Sequence, residues 1–299
     1  VEKRLNPLRI FEGAKSIISL AINYSPGWIE QSKDKNLAFI SRYALGYDYH
    51  KVVFAKLKLL FDFIVKETKG KAKGKIYCDT GPLLEKAIAE RAGLGWIGKN
   101  GLLITKEFGS WVFLGEIILD VELRKDTQAK NLCSDCNLCI KSCPSGAIIA
   151  PGIIDASRCF SYLTIENRKK IPFKLRNVLG SRVFGCDACQ EVCPFNNNVP
   201  ETEEPLFEPQ KELLSMPLEK FFILANKQFK EYFKNSTIKR VKRNGLLRNI
   251  TVAMGNSGNK EFLLLLKKAS KESDSIIRKH AEWAICKIGG NRFANLVGR

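Results

Sequence analysis

Ten cysteines carry the clearest chemical signal in this 299-residue chain, and eight of them fall within the 61 residues from Cys133 to Cys193. The first run is Cys133-x-x-Cys136-x-x-Cys139-x-x-x-Cys143-Pro144. That spacing, closing on Cys-Pro, is the bacterial [4Fe–4S] ferredoxin run. The second begins at Cys159, skips 26 residues and resumes as Cys186-x-x-Cys189-x-x-x-Cys193-Pro194. In two-cluster ferredoxins the fourth cysteine of a run ligates the other cluster. Two [4Fe–4S] clusters are therefore expected. One takes Cys133, Cys136, Cys139 and Cys193; the other takes Cys143, Cys159, Cys186 and Cys189. Paired zinc ribbons are the competing reading, but they use C-x-x-C hooks rather than three thiolates closing on Cys-Pro. Cys78 and Cys286 lie in apolar stretches and read as core thiols. Thiolates of this kind must stay reduced, which points to a cytoplasmic location.

Two neighbouring cubes conduct single electrons, and such a wire needs a redox centre or a substrate at its end. No P-loop is present, and no G-x-G-x-x-G opens a helix after a strand. Asp48-Tyr49-His50 begins like the D-x-H-x-x-G cobalamin motif, but Val53 stands where the glycine belongs.

The elements that must position this chemistry are legible in the hydrophobic pattern. Lys15 to Tyr24, Lys75 to Cys78 and Ser110 to Asp120 read as strands. Val53, Leu57, Leu60 and Ile64 recur at helical spacing, so Tyr49 to Glu67 reads as an amphipathic helix. Leu83 to Arg91 is a second helix, with Pro82 in its first turn and Gly93 and Gly95 closing it. This alternation predicts an α/β domain. The cysteine region is loop-rich and must be organised by its metal. The acidic, proline-containing stretch Glu201 to Glu208 reads as an interdomain linker. Beyond it come three helical stretches, Leu246 to Met254, Glu261 to Ala269 and Ile276 to Ile288. An echo between Ala253 and Ala284 suggests a HEAT-like repeat, set against an ordinary helical bundle.

The net charge is +18, from 49 Lys and Arg against 31 Asp and Glu. Asn226 to Arg299 alone holds 17 basic and 5 acidic residues. An excess so concentrated suggests a polyanionic partner, against the blander alternative of a solubilising surface. No apolar run reaches the roughly 18 residues of a membrane span, and Ser16 to Ile22 reads as a strand rather than a signal peptide.

Four stretches together resemble the epoxyqueuosine reductase family. They are Arg42-Tyr-Ala-Leu-Gly-Tyr-Asp48-Tyr49-His50-Lys51; Asp79-Thr-Gly-Pro-Leu-Leu-Glu85 running into Arg91-Ala-Gly-Leu-Gly-Trp96-Ile-Gly98-Lys99-Asn100; the double cysteine run with Ser161-Tyr162-Leu-Thr-Ile-Glu166; and the helical tail. Family members usually have some tens of residues before the point where this chain starts. The resemblance implies an α/β cobalamin-binding domain over residues 1–127, a ferredoxin-like two-cluster module over 128–200 and an all-α HEAT-like tRNA-binding domain over 201–299. The implied reaction reduces epoxyqueuosine to queuosine at the tRNA wobble position. Clusters fed by an external low-potential donor would reduce cobalamin to cob(I)alamin, which attacks the epoxide. Asp79 matches the family's proton donor, and burial under the corrin is expected to keep it protonated. Arg42 matches a cofactor contact. Tyr49, His50, Leu103, Leu114, Ser161, Tyr162, Gly185, Cys186, Asp187 and Ala188 are expected to shape the corrin pocket. Phosphate contacts need cations. Those expected on the tRNA are Arg168, Lys169, Lys170, Lys239, Arg240, Lys242, Arg243, Arg248, Arg278 and Lys279. A monomer is expected. Two other readings stay open: a ferredoxin-like electron carrier with a helical docking tail, and a small-molecule reductive dehalogenase. The α/β domain and the basic tail argue against the first. The tail argues against the second, which should also carry a twin-arginine export signal.

Overall fold

A computed structural model describes residues 2–27, 29, 32 and 34–290. Its N-terminal part is built on three strands in the order Ser16–Asn23, Val112–Leu119, Gly74–Tyr77. The central strand comes last in the chain and runs antiparallel to both neighbours. The two outer strands are parallel to each other, joined by a crossover carrying the helix Tyr49–Glu67. The elements alternate as expected, but inserting the last strand between the first two makes the sheet antiparallel rather than parallel.

The central strand alternates its faces. Phe113, Ile117 and Leu119 are buried in the core that the long helix covers with Val53 and Leu57. Gly115 lies between them, and a Cβ there would stand 2.7 Å from Leu57 and 2.9 Å from Val53. Only glycine lets the helix pack so close. Glu116, next along the strand, faces the opposite side. The second helix is Glu85–Arg91, shorter than the sequence pattern suggests, and Pro82 lies in the turn before it rather than in its first turn.

The two halves of the molecule share a core. One apolar cluster joins Ala38 to Leu45, Phe160 to Phe184 and Leu213 to Ala284. The residues between Cys159 and Cys186 are therefore no appendage of the cysteine region. They form the helices Phe160–Ile165 and Phe173–Leu179 and the strand Arg182–Phe184, which pairs in parallel with Phe39–Ile40. They pack against the C-terminal helices Leu218–Lys227, Lys242–Ser257, Leu263–Ala269 and Ser275–Ile288. A boundary at residue 200 thus cuts through shared packing. The expected linker is docked too. Thr202 N–H donates to Ser25 O at 2.7 Å, Tyr47 N–H donates to Leu206 O at 2.7 Å, and Phe207 is buried in the sheet core. Among the described residues, no helix is long and apolar enough to cross a membrane.

Arg248 corrects a sequence expectation. It is 1 % exposed, so it offers nothing to a phosphate. Its guanidinium donates to Leu163 O, Asn167 O and Lys169 O, each at 2.7 Å, and to Asn249 Oδ1. It ties the inserted segment to the C-terminal helices. Arg248→Met orphans those buried carbonyls at about 1–3 kcal/mol each. Chemical unfolding should show a loss of about 3 kcal/mol or more, and a loss below about 1 kcal/mol would contradict this role.

Candidate active site

The cysteines separate into two groups. Cys133, Cys136, Cys139 and Cys193 line one small pocket with Leu138 and Phe195. Trp96 Nε1–H donates to Cys133 Sγ at 3.4 Å there. Cys143, Cys159, Cys186 and Cys189 line one wall of a much larger cavity, about 370 Å³ enclosed and about 1300 Å³ with its open mouth. The chain folds this way because Cys193 sits at the end of the helical turn that carries Cys189, next to the first three cysteines.

The other walls of the cavity are apolar and aromatic. Tyr24, Tyr43, Tyr49 and Phe113 line it with Leu102, Val112, Leu114 and Ile148. Phe113 stacks between Tyr24, at 4.3 Å, and Tyr49, at 4.1 Å; Tyr49 stacks in turn on His50 at 4.1 Å. This row of four rings was not foreseen, because its members come from separate elements. Ser161 and Ala188 also reach the wall.

Other expected contacts do not lie on the wall. Leu103 is buried in a hairpin strand, and its neighbour Leu102 faces the cavity instead. Arg42 lies over the Trp111 ring at 5.1 Å and within 3.7 Å of Glu191, drawn under the sheet. Asp187 is 1 % exposed and accepts from Ser41 Oγ–H and Arg42 N–H, so it braces the segment behind the wall. Gly185 packs against Ser41 and donates its N–H to Thr164 Oγ1, and Tyr162 is exposed outside. His50 opens into a neighbouring cavity rather than this one.

Asp79 also lines the large cavity, on the turn after Gly74–Tyr77. Its backbone takes φ +56°, which a non-glycine residue holds only when its surroundings enforce it. Its carboxylate meets His50 Nε2 and Arg240 Nη1, both at 3.3 Å. His50 Nδ1 meets Asp48 Oδ1 at 2.8 Å, and Asp48 also caps the long helix and accepts from Lys239 Nζ at 2.5 Å. The hydrogen bond from His50 holds the Asp79 carboxyl below its usual range, against the opposing effect of burial. The sequence expectation concerned Asp79 under a bound corrin; in the protein alone its partners lower its pKa against the effect of burial. Burial pulls His50 down, but its bonds to Asp48 and Asp79 prevail and push it up to about 9. His50 Nε2 stands one hydrogen bond from the Asp79 carboxyl.

The basic residues divide as well. Lys239 and Arg240 are engaged by Asp48, Asp79 and Glu166. Arg243 pairs with Glu272 at 3.0 Å. Arg278 donates to Glu272 O and Ser273 O, and Arg168 donates to Ile165 O, Arg240 O and Val241 O. Lys169 and Lys170 are exposed, and Lys279 is close enough to Lys170 to lower its pKa. Lys242, Arg243 and Arg168 line another cavity of about 370 Å³.

A cysteine-walled cavity beside the hydrogen-bonded chain Asp48–His50–Asp79 fits an iron–sulfur oxidoreductase type of site. Residues 132–196 match the family model of the 4Fe-4S double cluster binding domain. Residues 4–80 match that of epoxyqueuosine reductase QueG. The chain is 40 % identical to the epoxyqueuosine reductase of Aliivibrio fischeri over 94 % of its own length and 76 % of that protein's. It is 38 % identical to the Escherichia coli epoxyqueuosine reductase over 98 % of its length and 78 % of that protein's. A crystal structure of an epoxyqueuosine reductase with an epoxyqueuosine-modified tRNA-Tyr stem loop matches with TM-score 0.91 and 34 % identity, covering 98 % of this chain and 79 % of that one. The Bacillus subtilis enzyme, solved with its catalytic aspartate loop swung out of the active site, matches with TM-score 0.90 and 33 % identity, covering 98 % and 79 %. The chain belongs to the epoxyqueuosine reductase family.

The relay has a pH signature. A histidine whose pKa is raised on folding contributes stability that is complete below its ordinary 6.5 and is lost as the pH rises through about 9. The thermal midpoint of the wild type should exceed that of His50→Gln most at pH 6, with the gap closing by pH 10 on the order of that pKa shift. A gap that does not change with pH would contradict the pairing.

Proposed function

We propose that this chain reduces epoxyqueuosine to queuosine in the anticodon of tRNA, using cobalamin in the large cavity and two [4Fe–4S] clusters on the two cysteine groups. The observation that carries this reading is that Asp79 lines one largely apolar cavity together with Cys143, Cys159, Cys186 and Cys189. The lining fits a broad, mostly apolar macrocycle with amide arms. Leu102, Leu114, Phe113 and Ile148 offer flat packing surfaces, while Ser41, Asn100, Ser110 and Gln190 offer hydrogen bonds. When bound, cobalamin supplies a strongly reducing cobalt centre able to break the epoxide's carbon–oxygen bond.

The protein's part is electron and proton supply. Removing the epoxide oxygen as water consumes two electrons and two protons. The cysteine wall brings single electrons to the cavity edge. At the other end Asp79 Oδ2 delivers a proton to the departing oxygen, and His50 Nε2 recharges it, held in orientation by Asp48. The Asp79 carboxylate of the resting site therefore takes its proton from the imidazolium beside it, rather than storing one by burial.

The tRNA reading rests on the exposed cations. Lys169, Lys170 and Lys242, with the half-buried Lys279 beside Lys170 and the cavity edged by Arg168 and Arg243, suit a phosphate backbone. The modified base would be splayed out into the large cavity. In this reading the cobalamin unit is the sheet-bearing part, residues 1–127, the cluster module is 128–200, and the C-terminal helices act as a HEAT-like support for tRNA. The chain works as a cytoplasmic monomer fed by an external low-potential carrier.

Asp79→Asn removes the proton-transferring carboxyl and leaves the cysteine wall in place. The purified variant should keep wild-type iron content and lose epoxyqueuosine-tRNA turnover by roughly a hundredfold or more. Wild-type turnover would remove Asp79 from the mechanism.

A further inference from the structure

Behind the Asp79 turn lies a second pair of carboxyl groups. Glu116, on the central strand, is fully buried. The register sets it beside Ser19 and Tyr77. Ser19 Oγ–H donates to its Oε1 at 3.4 Å, while its Oε2 meets no N–H or hydroxyl donor. The carboxyl of Glu85 lies beside it. Two carboxyls in contact stay together only if one keeps its proton. Glu85 Oε1 in turn accepts the Asp79 N–H at 2.5 Å. The turn between them is tight: at Gly81 a Cβ would stand 2.3 Å from the Tyr77 ring.

We propose that Glu116 and Glu85 share one proton and together position Asp79, the neutral Glu116 donating to Glu85 and the fixed Glu85 holding the Asp79 N–H. This rests on the reading of Asp79 as the proton donor. It explains how a left-handed aspartate keeps its carboxylate toward His50 and the cavity. Burial raises the pKa of Glu116, and Glu85 raises it further. Burial raises Glu85 as well; the Asp79 N–H opposes that rise, the Asp79 charge adds to it, and Glu116 and His50 oppose it. The groups facing the pair are Ser19 from the edge strand, Cys78 and Asp79 from the strand end, and Tyr49 and His50 from the start of the long helix. Of these only His50 is a cation, and it is engaged by Asp48 and Asp79. Glu116 is a positioning residue, since it acts on the substrate only through Glu85 and Asp79.

The test combines infrared spectra with turnover for the wild type, Glu116→Gln and Glu116→Leu. Anaerobic wild-type protein should show a carboxylic-acid C=O band at neutral pH that fades as the pH becomes alkaline. Glu116→Gln should lack that band. Glu116→Leu should lower kcat roughly tenfold to a hundredfold through misplacement of Asp79. Glu116→Gln, which keeps a donor to Glu85, should recover much of that loss and move the alkaline limb of the pH profile. The proposal is overturned by the absence of an acid band, by a band that persists in Glu116→Gln, or by wild-type kcat in Glu116→Leu. If Glu116→Leu does not fold, the infrared and Glu116→Gln arms decide. Wild-type turnover is the control: if the wild type turns over no epoxyqueuosine-tRNA yet shows the acid band, the functional reading fails and the carboxyl pair stands.

Discussion

Cluster thiolates and a proton-moving carboxylate need opposite surroundings, and this molecule has to present both to one substrate. Electron delivery favours a dry, apolar wall. Proton delivery needs charges held against their desolvation. The large cavity separates the two. Cys143, Cys159, Cys186 and Cys189 sit at the apolar side. Asp48, His50, Asp79 and Arg240 form an ion-pair chain at the other. An aromatic row of Tyr24, Phe113 and Tyr49 on the cavity wall leads to His50 of that chain.

The C-terminal helices belong to the same arrangement. Arg240 reaches both Asp79 and Glu166, and Lys239 reaches Asp48. Part of the basic tail thus pairs with the acidic groups beside the cavity. Arg248 holds the inserted segment, and that segment carries Lys169 and Lys170 on its surface. The acid and the basic surface are fixed relative to one another by a common core, which suits a reaction on a single base of a large nucleic acid.

Much of this was legible in the chain itself. Strand and helix positions followed from periodicity, and Tyr49–Glu67 was placed to the residue, because Asp48 caps it and its apolar face is regular. The grouping of Cys193 with Cys133, Cys136 and Cys139 followed from motif spacing, a local property. What was not legible depends on pairing across distance. The antiparallel sheet reflects the order in which strands insert. Arg248 and Arg42 look like any exposed arginine until their burial is known. The groups that lower the Asp79 pKa, His50 and Arg240, come from two other elements. Glu116 stands amid an apolar strand with nothing in its spacing to announce Glu85.

The most direct measurement of the central claim is the metal content of anaerobically purified, cobalamin-reconstituted protein, read with its absorbance spectrum. The account predicts about eight irons and one cobalt per chain. About eight irons with no cobalt retained would contradict it, leaving the cavity without its cofactor and the chain as an electron carrier.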